Sequence, residues 1–171
     1  MMPLAHNIKL SLFQRVLLHS DGTVTDLIST YLQSPIHVTK LKQEIIFSET
    51  LEHLKAPKDS ELLARKILLT DTKNDHYLYA ESIFVLDRME KKFRVELLET
   101  ETPIGLLWQQ ERTETFRELV DQRLEKQPSL QQYFKNAKDD QFLSRTYLVY
   151  QAGAPLGQIT EKFPFSYFRE S

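Results

Sequence analysis

FLSRTYLVYQAGAPLGQITEKF, residues 142–163, contains two runs of alternating character on either side of a short turn signal, and this pairing sets the class of fold. Side chains of a strand point alternately to its two faces. Leu143, Arg145 and Tyr147 therefore share one face of the first run, and Ile159, Glu161 and Phe163 share one face of the second. QAGAP supplies Gly153 and Pro155, residues suited to a hairpin turn, so the runs are expected to lie antiparallel. Each places one charge on an otherwise apolar face. A charge there is either exposed at an edge or buried with a partner, because an unpaired buried ion costs several kcal/mol.

The pattern repeats upstream. RKILLT, residues 65–70, reads as a strand with Arg65, Ile67 and Leu69 on one face. DTKND then turns the chain into HYLYAESIFVL, where Tyr79, Glu81 and Ile83 share a face. Residues 36–48 alternate with a slip of phase between Val38 and Leu41, which predicts a bulged strand. Helical spacing appears at KLSLFQRVLL, residues 9–18, and a second helix capped by Thr23 or Thr25 is expected to run to about Gln33. LKAPKDSELLA reads as a turn or short helical connection.

Beyond Met89 the pattern is helical in FRVELL, PIGLLW and TETFRELVDQRLEK. In the last, Thr115 and Glu118 have capping-box spacing, and Phe116, Leu119, Val120 and Leu124 form a helical stripe. Adjacent strand pairs with helices clustered between them predict an α+β fold on a single antiparallel sheet rather than a doubly wound one. No linker or repeat divides the 171 residues, so residues 1–171 are read as a single domain.

Composition narrows function by exclusion. A formal net charge of −2 and a pI near 6.2 provide no electrostatic footprint for nucleic acid, and none is expected as a partner. The absence of cysteine removes disulfides, thiolate metal sites and cysteine nucleophiles. His6, His19, His37, His53 and His76 are scattered without ligand spacing, and no metal is expected. The four glycines, Gly22, Gly105, Gly153 and Gly157, form neither a P-loop nor a dinucleotide-binding fingerprint, and no nucleophile elbow is present. The N-terminal stretch has no signal-peptide or membrane-spanning pattern, so a cytoplasmic location without a membrane span is expected.

The remaining feature is the set of charges on apolar strand faces: Arg65, Glu81, Arg145 and Glu161. Two readings stand side by side. They form a structural ion-pair network or exposed edge, or they line a closed pocket in which arginine grips a substrate carboxylate and a carboxyl group binds a hydroxyl or supplies a proton.

The order of RKILL, YAES, TPIG, an arginine-bearing stretch around Arg117, a G-x-P turn and ITEKF resembles the chorismate lyase family, in its short divergent branch. VLLHSDGTVTDLI and IHVTKLKQE are similar too, so the resemblance runs from about Phe13 to Phe163. It implies a six-stranded antiparallel sheet with helices covering one face and closing over an internal site. It also implies elimination of pyruvate from chorismate to leave 4-hydroxybenzoate, without cofactor or metal. On this resemblance Arg65 grips the ring carboxylate and Glu161 meets the ring oxygen at the opposite end. Backbone groups at Val24 and Ile104 line the site, Gly105 permits close approach, and Arg117 and Arg145 match family arginines as substrate-binding or structural residues. Chorismate is the implied small-molecule partner of a monomer or dimer. The ligand-sensing domains of certain bacterial transcription regulators have a similar fold, so a non-catalytic binder of aromatic carboxylates is the alternative.

Overall fold

The computed structural model describes residues 4, 7–21, 23–47, 52–100, 102, 104–110 and 114–170. Six strands, β1 (Ile36–Phe47), β2 (Glu61–Asp71), β3 (His76–Val85), β4 (Phe116–Lys126), β5 (Gln141–Gln151) and β6 (Ala154–Pro164), form one sheet in the order β1-β2-β3-β6-β5-β4. Every neighbouring pair is antiparallel. Ala152 and Gly153 join β5 to β6 with φ of 51° and 78°, the paired left-handed conformation whose twist matches that of a hairpin. The Asp71 carboxylate accepts the amides of Lys73 and Asp75, each at 2.9 Å, and so closes the β2–β3 turn. β1 carries its bulge between Lys40 and Lys42, where the alternation of the sequence slips.

Helices cover one face in two groups. α1 (Leu12–His19) opens on a reciprocal cap between Ser11 and Gln14. With α2 (Val24–Leu32) it packs Leu17, Leu18 and Ile28 on Val38, Leu69, Leu78, Leu143 and Phe163. α3 (Lys91–Glu99) and α4 (Ile104–Gln110) set Phe93, Leu97, Leu107 and Trp108 on Leu63, Phe84, Val149 and Ile159. The sheet between these groups lies beneath a hollow.

Among the described residues, the other face is covered at its ends. Leu54 and Ala56 pack on Leu62, Val85 and Leu148 at one end. At the other, a single helical turn, α5 (Pro128–Gln131), brings Leu130 with Phe134 onto Leu68, Tyr79 and Phe142. Between these ends the strands carry polar groups, including Thr146 and Thr160, whose hydroxyls are 2.8 Å apart.

Three expectations are corrected. The segment read as a capped helix is β4, the edge strand beside β5, and Thr115 precedes it. A bulge between Leu119 and Asp121 places Arg117, Leu119, Gln122 and Leu124 on the covered face. That slip stretches the alternate apolar spacing and imitates a helical stripe, while Val120 packs with the cluster on the opposite face. LKAPKDSELLA, residues 54–64, is a connection only as far as Ser60, following one 3₁₀ turn at Glu52–Leu54, and the chain already enters β2 at Glu61. Finally, Glu81 faces away from the helices, since Leu78, Ala80 and Ser82 occupy the covered side of β3. Its carboxylate accepts from the Tyr79 hydroxyl at 3.0 Å.

Candidate ligand site

Strand register assembles the site in rows across the sheet. Arg65 on β2 lies beside Ser82 on β3, Ser82 beside Ile159 on β6, and Ile159 beside Tyr147 on β5. The next row runs Ile67, Ala80, Glu161, Arg145 and Gln122. Three strand spacings put the backbones of Arg65 and Tyr147 about 14 Å apart. Ala80 and Ser82 are small, so the sheet is hollow between the larger groups. A pocket sits there, roofed by Thr23, Val24 and Thr25 of the α2 start and by Ile104 of α4.

Arg65 marks one end. It is 4% exposed, and its Nε donates to Gln43 Oε1 at 3.1 Å. Gln43 is itself held by donating to the Leu98 carbonyl at 3.3 Å. Arg65 Nη2 is buried with no hydrogen-bond partner. Burial lowers the guanidinium pKa to about 10. A buried cation with an open donor beside a cavity is a receptor for an anion, because a carboxylate supplies both the missing acceptor and the missing charge.

Glu161 marks the other end. Its Oε1 accepts from Arg145 Nε at 2.7 Å, and both side chains are buried. Arg145 Nη1 also donates to the Ser20 carbonyl at 2.6 Å. Burial works against the Arg145 charge, but the neighbouring Glu161 carboxylate outweighs it and holds the guanidinium above its usual pKa. The Tyr147 hydroxyl also hydrogen-bonds Glu161. Burial and then the Glu161 charge push that phenol upward in pKa, against the opposing pull of Arg117 and Arg145. Arg117 lies over the rings of both Trp108 and Tyr147, at 5.7 and 5.3 Å from their centroids.

Of the residues singled out in the sequence, Arg65, Glu161, Val24, Ile104 and Arg117 line this cavity together. Gly105 sits in the first turn of α4, next to Ile104. Arg145 is not among the lining residues and acts on the cavity through Glu161. Ala80 and Ser82, which line the pocket, are not marked in the sequence, because in YAES the charged and bulky phase of the alternation is the conspicuous one. Tyr147, which alternation places on the face of Arg145, lines the pocket too. The clue available was the small phase itself, since a covered strand face with small side chains leaves room for something else. Among the described residues, no group of three or more His, Asp or Glu side chains could gather a metal ion, and no helix is long and apolar enough to cross a membrane.

The class defined here is an α+β domain with one antiparallel sheet and a pocket under its helices. Its fold recurs in solved structures: PhnF from Mycobacterium smegmatis (TM-score 0.63, 12% identity, 90% of this chain and 67% of that one) and the ligand-binding domain of a putative GntR-family transcriptional regulator from Bordetella bronchiseptica (0.57, 11%, 80% and 90%). The family is narrower. The model of the chorismate pyruvate-lyase Rv2949c-like family matches residues 18–170, and the chain belongs to that family. Chorismate pyruvate-lyase of Mycobacterium tuberculosis is 28% identical over 95% of this chain and 85% of its own length. Its counterpart in Mycobacterium leprae is 26% identical over 92% and 76%.

Proposed function

We propose that this protein is a chorismate pyruvate-lyase, which releases pyruvate from chorismate and leaves 4-hydroxybenzoate without the help of a cofactor. The observation that carries the reading is the open donor of buried Arg65, set across a ring-sized cavity from Glu161 in a chain of this family. Chorismate bears a ring carboxylate at one end and a ring hydroxyl toward the other, with the enolpyruvyl ether beside that hydroxyl. Arg65 binds the ring carboxylate. Glu161, already accepting from Arg145 and Tyr147, accepts a further hydrogen bond from the ring hydroxyl.

In the reaction the ether C–O bond breaks and its electron pair leaves with the enolpyruvate oxygen. The hydrogen on the adjacent ring carbon is lost as a proton, and enolpyruvate takes up a proton to become pyruvate. Aromatisation drives this elimination, so the site contributes mainly by fixing the ring and side chain in a reactive arrangement. The guanidinium of Arg117, beside Tyr147, lies at the end of the cavity where charge develops on the departing oxygen.

The test is incubation with chorismate, following pyruvate by a coupled assay and the aromatic product by chromatography. Equal amounts of pyruvate and 4-hydroxybenzoate are expected, with turnover reduced about 10²-fold in Glu161→Gln through lost positioning. A second reading is favoured by structural neighbours that are ligand-binding or effector domains: the pocket holds an aromatic carboxylate without converting it. Saturable binding of 4-hydroxybenzoate with no pyruvate from chorismate would select that reading instead.

A further inference from the structure

The bulge of β1 decides which side chain meets Arg65. Lys40 pairs with Ile67, and continuing that register would set Lys42 directly against Arg65. The extra residue at Leu41 shifts the strand, so that Lys42 pairs with Lys66 and Gln43 with Arg65. Lys42 thereby turns to the opposite face of the sheet, where its ammonium lies 3.1 Å from the Glu44 carboxylate. The charges on either side of Gln43 face away from Arg65, and a neutral amide faces it.

Hydrogen bonding fixes the orientation of that amide. A guanidinium only donates and a carbonyl only accepts, so Oε1 meets Arg65 Nε at 3.1 Å and Nε2 meets the Leu98 carbonyl at 3.3 Å. Leu98 lies in the last turn of α3, where the carbonyls have no partner within the helix and form its negative end. Lys40 Nζ reaches the same carbonyl at 3.5 Å. A carboxylate at position 43 would meet that end with no proton to give. One half-buried side chain on β1 thus joins the end of α3 to the guanidinium on β2.

The hold on Arg65 is made without neutralising it. Among the described residues no carboxylate pairs with this guanidinium, and burial is what lowers its pKa. Nε is occupied, Nη2 stays open, and the charge is left for whatever enters the pocket.

We infer that Gln43 is a positioning and specificity-determining residue: its neutral amide holds Arg65 by Nε, leaves the other donor for the pocket, and reserves the arginine's charge for an anionic ligand. The inference rests on the lyase reading, in which Arg65 takes the ring carboxylate, and says what makes that end of the pocket prefer an anion. The ring carboxylate is present in substrate, transition state and product alike, so Gln43 acts on binding rather than on bond cleavage.

The experiment compares 4-hydroxybenzoate with its neutral counterpart 4-hydroxybenzamide by isothermal titration calorimetry on the full chain, beside steady-state kinetics with chorismate. The wild type should prefer the carboxylate. Gln43→Glu, which supplies an internal counter-charge, should weaken 4-hydroxybenzoate about tenfold or more and change 4-hydroxybenzamide about threefold or less, so the preference collapses. Gln43→Met removes the hold and adds no charge; it should weaken 4-hydroxybenzoate about three- to tenfold and keep the preference for it. In both variants KM for chorismate should rise while kcat stays within about threefold. If Gln43→Glu does not fold, the 4-hydroxybenzoate affinity of Gln43→Met decides. Equal losses of both ligands in Gln43→Glu, an affinity unchanged in Gln43→Met, or a wild type that does not prefer the carboxylate overturns the role of Gln43. Carboxylate preference that responds to Gln43 in a protein releasing no pyruvate overturns the lyase reading alone, and turnover with neither variant affecting KM overturns the role of Gln43 alone.

Discussion

Replacing Arg65 with methionine should raise the thermal stability of the ligand-free protein while abolishing its affinity for aromatic carboxylates. The guanidinium is 4% exposed, with one hydrogen bond from Nε and none from Nη2. Burial lowers its pKa from the ordinary 12.5 to about 10. For a cation with a folded-state pKa below its unfolded value, the charged form opposes folding at every pH under the folded pKa. That opposition fades only as the pH rises from about 10 toward 12.5. At neutral pH the whole cost is present, about 3 kcal/mol. Methionine keeps most of the apolar stem and removes the charge, while the lost bond to Gln43 gives back about 1 kcal/mol. A net gain of about 1–2 kcal/mol corresponds to a rise in Tm of about 2–8 °C for a domain of this size. Differential scanning calorimetry with and without 4-hydroxybenzoate measures both effects, and only the wild type should gain stability from the ligand. A lower Tm for Arg65→Met, with the ligand still binding, would make Arg65 a structural cation and refute the argument.

The affinity for benzoate should be level between pH 7 and 9 and decline above about pH 10, as free Arg65 loses its proton; isothermal titration across that range checks it, and a decline beginning below pH 8 would assign control to another group. Glu161→Gln strands the buried Arg145 charge and should cost about 2–4 kcal/mol in urea denaturation. The double variant Arg145→Met, Glu161→Met should recover most of that loss and none of the turnover, because an apolar pair replaces the ion pair but cannot hold the ring hydroxyl. Gly157→Ala should destabilise the fold by about 1–3 kcal/mol in urea denaturation, since the added Cβ would collide with the Phe84 ring and lie 2.7 Å from the Ile83 carbonyl oxygen.

Much of the fold is legible in short stretches. The β5–β6 hairpin follows from alternation either side of Ala152 and Gly153, and the bulge in β1 from a slip in phase, because both are local consequences of backbone geometry. Arg65, Arg145 and Glu161 are recognisable as charges on apolar faces for the same reason. β4 is not legible in this way. Its bulge scrambles the alternation, and as an edge strand it is defined by ten paired positions along β5 rather than by its own pattern. Glu81 illustrates the other limit. Both faces of β3 bear apolar side chains, since Leu68 and Tyr79 pack under Leu130 and Phe134 on the side away from the cavity. Alternation separates the two faces of a strand but does not say which one the helices cover.

The sequence by itself therefore determined the antiparallel α+β class and the three charges most in need of explanation. It did so because period-two alternation and turn chemistry act over a few residues. Tertiary structure decided what those charges do. Register across β5 and β6 gave Glu161 to Arg145, the small side chains of Ala80 and Ser82 opened the cavity, and the placement of α2 and α4 roofed it while Arg65 kept an open donor. These are relations between residues far apart in the chain, settled by which elements pack together.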